Sequence, residues 1–256
     1  MENVAKYIED NKEKHINELF EFLRIQSISS EIEHKDDIKK AAQWLVNNFK
    51  SFGIDNAKLI ETKGHPLVYA EWMGAGANAK TVLIYGHYDV QPVDPIELWE
   101  SSPFEPFIKN GKIFARGSAD DKGQVFAHLK AAEAYLKSNS KLPVNLKFII
   151  EGEEEASESN IDEFIENNPD LLSCDTVVIS DTEWFHSGMP SICYGLRGIA
   201  YLEIEVVGPN RDLHSGTFGG AVDNPILVLS WMLTQMKNRY GKITVPGFYD
   251  DVLELT

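Results

Sequence analysis

TVLIYGHYDV, residues 81–90, is an apolar run that ends in a histidine and an aspartate two residues apart. Its first residues are continuously apolar rather than alternating, which predicts a strand covered on both faces, as in the interior of an α/β sheet. A polar turn after a core strand accounts for His87 and Asp89 if the pattern occurs once. It recurs. The runs at 144–150 and 176–179 are equally continuous and lead into EGEEE (151–155) and SDTE (180–183), with helical spacing at 124–137 and 161–167 between them. Strand and helix in alternation predict an α/β domain with a largely parallel sheet.

Upstream, apolar residues from Val4 to Leu23 recur at helical spacing, predicting one amphipathic helix over 4–23, and a second is expected over 36–52 with Gly53 as its C-cap. Short strands at 58–61 and 67–73 precede the turn Gly74-Ala75-Gly76. After Gly198 the pattern changes: Ala200, Leu202, Ile204 and Val206 alternate with Tyr201, Glu203 and Glu205, which describes a strand wet on one face. A helix over 224–239 follows, with Pro225 in its first turn and Gly241 beyond its end. The domains expected are therefore 1–197 and 198–256. One strand and one helix cannot close a core, so the second domain reads as unfinished.

Forty acidic against twenty-four basic residues in 256 give a formal charge of -16, which repels nucleic acid and anionic lipid. No run of roughly 18 apolar residues and no basic, then apolar, N-terminus occurs. A cytoplasmic address without membrane contact is the expectation. The two cysteines, Cys174 and Cys193, have no Cys-x-x-Cys spacing and read as buried thiols, excluding a disulfide framework and a thiolate zinc knuckle.

In open α/β sheets the carboxyl ends of the strands face the ligand crevice. Three strands thus deliver His87 and Asp89, then EGEEE, then Ser180, Asp181 and Glu183 to one rim, and Asp120-Asp121 lies in a turn opening a helix. Each feature alone has an ordinary explanation: an acidic run starts a helix, an aspartate caps one or forms a turn. Converging carboxylates, however, repel one another unless cations sit between them. Imidazole and carboxylate without thiolate suit zinc, manganese or cobalt. A carboxylate shared by two ions would make a paired site of the kind used for hydrolysis.

In order along the chain stand GHYDVQP, Trp99 with Pro103-Phe104, ARGSADDKG, EGEEEASE, ISDTEW, YGLRG and DLHSG. This series resembles the two-metal aminoacylase, carboxypeptidase and dipeptidase family of metallopeptidases, and YGLRG and RDLHSG are similar to the cytosolic dipeptidase and carnosinase branch. The resemblance implies a three-layer α/β/α catalytic domain and the start of a smaller α+β lid and dimerisation domain. It implies two divalent ions, zinc first, with manganese or cobalt as alternatives. His87, Asp120 and Asp181 would hold one ion, Asp120 would bridge to the second, and Glu155 would ligate that second ion. Glu154 would be the general base toward a water bridging the ions, and Asp89 would bond the other nitrogen of His87 and fix its tautomer. The Asp120-Asp121 peptide is implied to be cis. His214 would reach into the partner's site of a homodimer and stabilise the oxyanion.

The implied substrate is a small peptide, cleaved without an acyl intermediate, so Ser180 and Ser215 are not nucleophiles. His15, His34, His65, His128 and His186 receive no role. A further histidine that the family supplies to the second ion, and the residues binding the substrate carboxylate, have no match here, so the sequence reads as the N-terminal portion of a longer enzyme. The alternatives are an N-acyl amino acid amidohydrolase and a noncatalytic fragment that binds metal and dimerises.

Overall fold

The computed structural model describes residues 1–139, 141–156, 159–186, 188–193 and 195–253. Ser157 and Glu158 of EGEEEASE, and Tyr194 of YGLRG, lie outside them. The chain forms two compact units, Met1–Cys193 and Tyr194–Thr256.

In the first unit the single N-terminal helix expected from periodicity is two, α1 (Glu2–Asp10) and α2 (Lys12–Leu23). Between them Asn11 leaves helical geometry, and its side-chain amide donates to Tyr7 O at 2.8 Å. Such local side-chain bonds compete with the helix. Helix α3 (Lys35–Ser51) buries Ile38, Ala41, Ala42, Leu45, Val46 and Phe49 on one face, and Gly53 follows it with φ +106°, the left-handed conformation expected of a residue just past a helix end. Phe22 at the end of α2 stacks on Trp44 of α3 with ring centroids 4.6 Å apart.

Strands β1 (Lys58–Ile60), β2 (Leu67–Trp72) and β3 (Thr81–His87) come next. The hairpin β4 (Phe107–Lys109) and β5 (Lys112–Phe114) turns through Asn110-Gly111, both at positive φ, a pairing that suits strand twist. Helix α4 (Lys122–Asn139), strand β6 (Asn145–Glu151), helices α5 (Ile161–Asn167) and α6 (Pro169–Leu172) and strand β7 (Thr176–Ile179) complete the unit. The sheet order is β1-β2-β6-β3-β7. β3 pairs in parallel with β6 and β7, while β2 pairs antiparallel with β1 and β6, so that only β2 runs against the common direction. The continuous apolar run at 144–150 is explained by position: β6 is buried along its whole length between β2 and β3. Phe148 of β6 meets Phe49 of α3 at 4.8 Å between centroids, so the core lies between the sheet and the helices.

β7 is one edge of the sheet, with Val177 and Ile179 exposed, so the run at 176–179 is not covered on both faces as its continuity predicts. The thiols are not both buried as expected. Cys174, just before this edge strand, is half-buried and Cys193 is exposed.

In the second unit α7 (Ser215–Phe218) and α8 (Pro225–Met236) are the helices among the described residues, and Asn224 caps α8 by accepting from Ile226 N at 2.9 Å. α8 stops three residues short of the expected end because Lys237 is extended and bridges to Ile243 around Gly241. The alternation at 200–206 does not become a strand. A strand exists through its pairing, and none of the described residues pairs with this segment; of the four residues expected on the covered face, Ile204 and Val206 are half-buried while Ala200 and Leu202 are exposed. No helix among the described residues is long and apolar enough to cross a membrane.

Candidate metal centre

Where β3 ends, the parallel pairing aligns His87 with Glu151 of β6. Both residues stand at the carboxyl edge of the sheet and both are buried, Glu151 accepting from Tyr85 Oη at 2.6 Å and Ser159 Oγ at 2.7 Å. His87 is fully buried, yet its ring faces the rim. Its Nε2 lies 3.1 Å from Asp120 Oδ1 and 3.6 Å from Asp181 Oδ2, and those carboxylates are partly open to solvent. Among the described residues two groups of donor atoms are close enough to share an ion, both built on His87: His87 with Asp120 and Asp181, and His87 with Glu154 and Glu155.

The other ring nitrogen decides what Nε2 can do. Nδ1 lies 3.0 Å from the main-chain carbonyl of Asp89 and 3.4 Å from its carboxylate. A carbonyl only accepts, so Nδ1 carries the hydrogen and a neutral ring turns the lone pair of Nε2 toward Asp120 and Asp181. A lone pair facing carboxylates needs a proton or a metal cation between them. These residues therefore fit a divalent ion.

Electrostatics agree with the geometry. Burial works against a charged His87, but the hydrogen bond and charge of Asp89, then Asp121 and Glu154, outweigh it and raise the ring to about 10. Burial raises Asp121 to about 7 against the opposing pull of His87. Glu154, Glu155 and Asp181 are also raised, first by burial and then by neighbouring carboxylates, with His87 pulling each the other way. A field that holds a proton this firmly also favours a dication.

The Asp89 carboxylate has a second task. It accepts from the main-chain N–H groups of Glu154 at 3.3 Å and Glu155 at 3.0 Å, fixing the turn after β6 against the end of β3. Glu155 also accepts from Gln91 Nε2. The three glutamates start no helix. Glu153, which had no separate expectation, is buried and accepts from His65 N at 2.9 Å, Asn160 N at 3.1 Å and Asn160 Nδ2 at 2.8 Å. It anchors the turn from which its two neighbours project. A residue in the middle of an acidic run carries no sequence signal for such inward packing.

On the opposite wall the Asp120-Asp121 peptide is cis. Asp121 accepts from His87 N at 3.1 Å and Gln124 Nε2 donates to Ala119 O at 2.6 Å, so both flanks of Asp120 are bonded. His128, also without an expected role, meets Ser180 Oγ at 2.7 Å, next to Asp181. His214 belongs to the second unit, where it is exposed, and its Nδ1 accepts from Gly216 N at 3.0 Å at the start of α7.

The profile of Peptidase family M20/M25/M40 matches residues 83–217, a span that holds every one of these side chains except those of the turn around His65. The Cys-Gly metallodipeptidase dug1 of Schizosaccharomyces pombe is 33% identical over 268 residues, covering 100% of this chain and 56% of the relative. The human Beta-Ala-His dipeptidase is 41% identical over 193 residues, covering 75% of this chain and 38% of that protein. The chain thus spans about half the length, or less, of these curated relatives. The solved structure of the dipeptidase Dug1p from Saccharomyces cerevisiae superposes with a TM-score of 0.78 at 29% identity, over 99% of this chain and 56% of that one. With the imidazole and carboxylates gathered at one sheet edge inside the matched span, the chain belongs to Peptidase family M20/M25/M40.

Proposed function

We propose that this chain carries the metal centre and general base of an enzyme that hydrolyses the peptide bond of dipeptides. The observation that carries this reading is the Nε2 lone pair of His87 set 3.1 Å and 3.6 Å from two carboxylates, with Glu154 beside them. His87, Asp120 and Asp181 would hold one divalent ion, and Asp120 with Glu155 would contribute to a second. When bound, such ions supply Lewis acidity toward the amide carbonyl and acidify an attacking water.

The remaining steps belong to side chains. Glu154 is raised by burial and by Glu155, Asp181 and Asp89, which suits a carboxylate that takes a proton from water at Oε and returns it to the leaving amine. Asp89 holds His87 in the tautomer that presents Nε2 and holds the Glu154 main chain in place, so the base and the imidazole share one anchor. His214, with Nδ1 accepting from Gly216, would in its neutral form carry its hydrogen on Nε2 and so be a donor to a developing oxyanion.

Zinc as the native ion, with manganese or cobalt as alternatives, a homodimer through the second unit and a cytoplasmic address belong to the same proposal. So does a catalytic domain over 1–197 followed by a lid and dimerisation domain. Dipeptides as the substrate class follow from the relatives' names, which specify Cys-Gly and Beta-Ala-His. The test is hydrolysis of simple dipeptides by zinc- or manganese-loaded protein, wild type against Glu154→Gln. The variant should keep its ion affinity and lose turnover by about 100-fold or more. Full turnover in the variant would remove Glu154 from the mechanism. Preference for N-acetylated amino acids over dipeptides would turn the assignment to an amidohydrolase. A folded, metal-loaded protein inactive on both would leave a metal-binding fragment.

A further inference from the structure

The side chains proposed to hold the ion come from loops far apart in sequence, and two of those loops are tied to one short N-terminal segment. Lys122 directly follows the cis Asp120-Asp121 peptide, opens α4, and is fully buried. Its ammonium donates to Phe22 O at 3.2 Å and Ile25 O at 2.7 Å and lies 4.9 Å from the Phe22 ring centroid. These carbonyls stand at and just past the end of α2, whose last turn has no basic residue, and each also accepts one main-chain N–H, from Ile25 at 3.3 Å and from Ser27 at 2.9 Å, so the ammonium takes their remaining acceptor capacity.

The same segment grips the end of β3 from its other side. Ser27 Oγ donates to Tyr88 O at 2.7 Å, Val90 N donates to Ser27 O at 2.9 Å, and Ile28 bridges to Val90. The loop before Lys122 is wound around the lysine stem. Gly123 N donates to Gly117 O at 3.2 Å, and a Cβ on Gly117 would stand 2.9 Å from Val90 Cγ1 and 3.3 Å from Lys122 Cδ.

We propose that Lys122 is a positioning residue for the metal centre: through residues 22–28 it sets Asp120 at its distance from His87. This rests on the metal-centre reading above and adds that the spacing of the two ligands is held from outside the rim. A lysine that only supports the fold would change stability without changing how the ion is held.

The test measures zinc affinity by chelator competition, the visible spectrum of the cobalt-loaded protein, and thermal unfolding, on wild type, Lys122→Met, Lys122→Arg and Ser27→Ala. Lys122→Met should bind zinc about 10-fold or more weakly, the loss seen when groups supporting ligands are removed, with an altered cobalt spectrum in protein that still unfolds cooperatively. Lys122→Arg should recover part of the affinity, and Ser27→Ala should shift it in the same direction by less. Wild-type affinity and spectrum in a folded Lys122→Met protein would overturn the inference and leave the metal centre standing. If Lys122→Met does not fold, Ser27→Ala decides: weaker zinc binding supports the anchor and unchanged binding overturns it. Wild-type protein that takes up no divalent ion overturns both.

Discussion

Glu133→Gln removes the charge around which the N-terminal helices are fastened to α4, the helix that begins beside Asp120. Glu133 is buried and accepts from Tyr7 Oη at 3.0 Å, Lys14 Nζ at 2.9 Å and Lys130 Nζ at 2.6 Å. Burial pushes its carboxyl up, but the hydrogen bonds from Lys130 and Lys14, the Lys130 charge and the Tyr7 hydroxyl outweigh it and bring it from 4.5 to about 2. A carboxyl lowered on folding stabilises above its unfolded value and loses that contribution as pH falls toward its folded one. The full difference is on the order of 3 kcal/mol at neutral pH. Lys14 is 51% exposed, so solvent screens its share, and about 2 kcal/mol is the expected loss. Urea unfolding of wild type and Glu133→Gln at pH 7 should show that gap, and at pH 3 it should fall to about 1 kcal/mol or less. A gap of equal size at both pH values, or none at pH 7, would refute an ionised Glu133 as the fastening.

Two further substitutions probe the rim. Asp89→Asn keeps the side chain's shape, but an amide oxygen can serve only part of the Glu154 and Glu155 N–H pair, so zinc affinity in a chelator-competition titration should fall about 10- to 100-fold; unchanged affinity would remove Asp89 from the support of the site. Gly64→Ala would place a Cβ 1.7 Å from Glu153 Oε1, the atom that accepts from His65 N, and should cost about 1–3 kcal/mol in urea unfolding; an unchanged midpoint would mean that the Glu153 clamp is dispensable.

Much of the site could be read from the sequence because strand ends in an α/β sheet share an edge. His87 at the end of one apolar run, and Asp181 just past another, had to come close once β3 and β7 paired in parallel. The supports could not be read so. Lys122 is of a residue type usually found at the surface and becomes fully buried because the end of α2 receives its ammonium and the loop at Gly117 packs on its stem. Glu153 is indistinguishable in sequence from the two acids after it, yet turns inward. Periodicity failed where local or long-range partners decide. Apolar spacing runs through Asn11, whose side chain breaks the helix, and residues 200–206 alternate like a strand with nothing among the described residues to pair with.

The most direct test of the account is a crystal structure of the zinc-loaded protein with an anomalous difference map at the zinc edge. The account predicts a peak bonded to His87 Nε2 and to oxygens of Asp120 and Asp181 at about 2.0–2.2 Å. A map with no peak at His87, or with zinc held only by residues elsewhere, would contradict it.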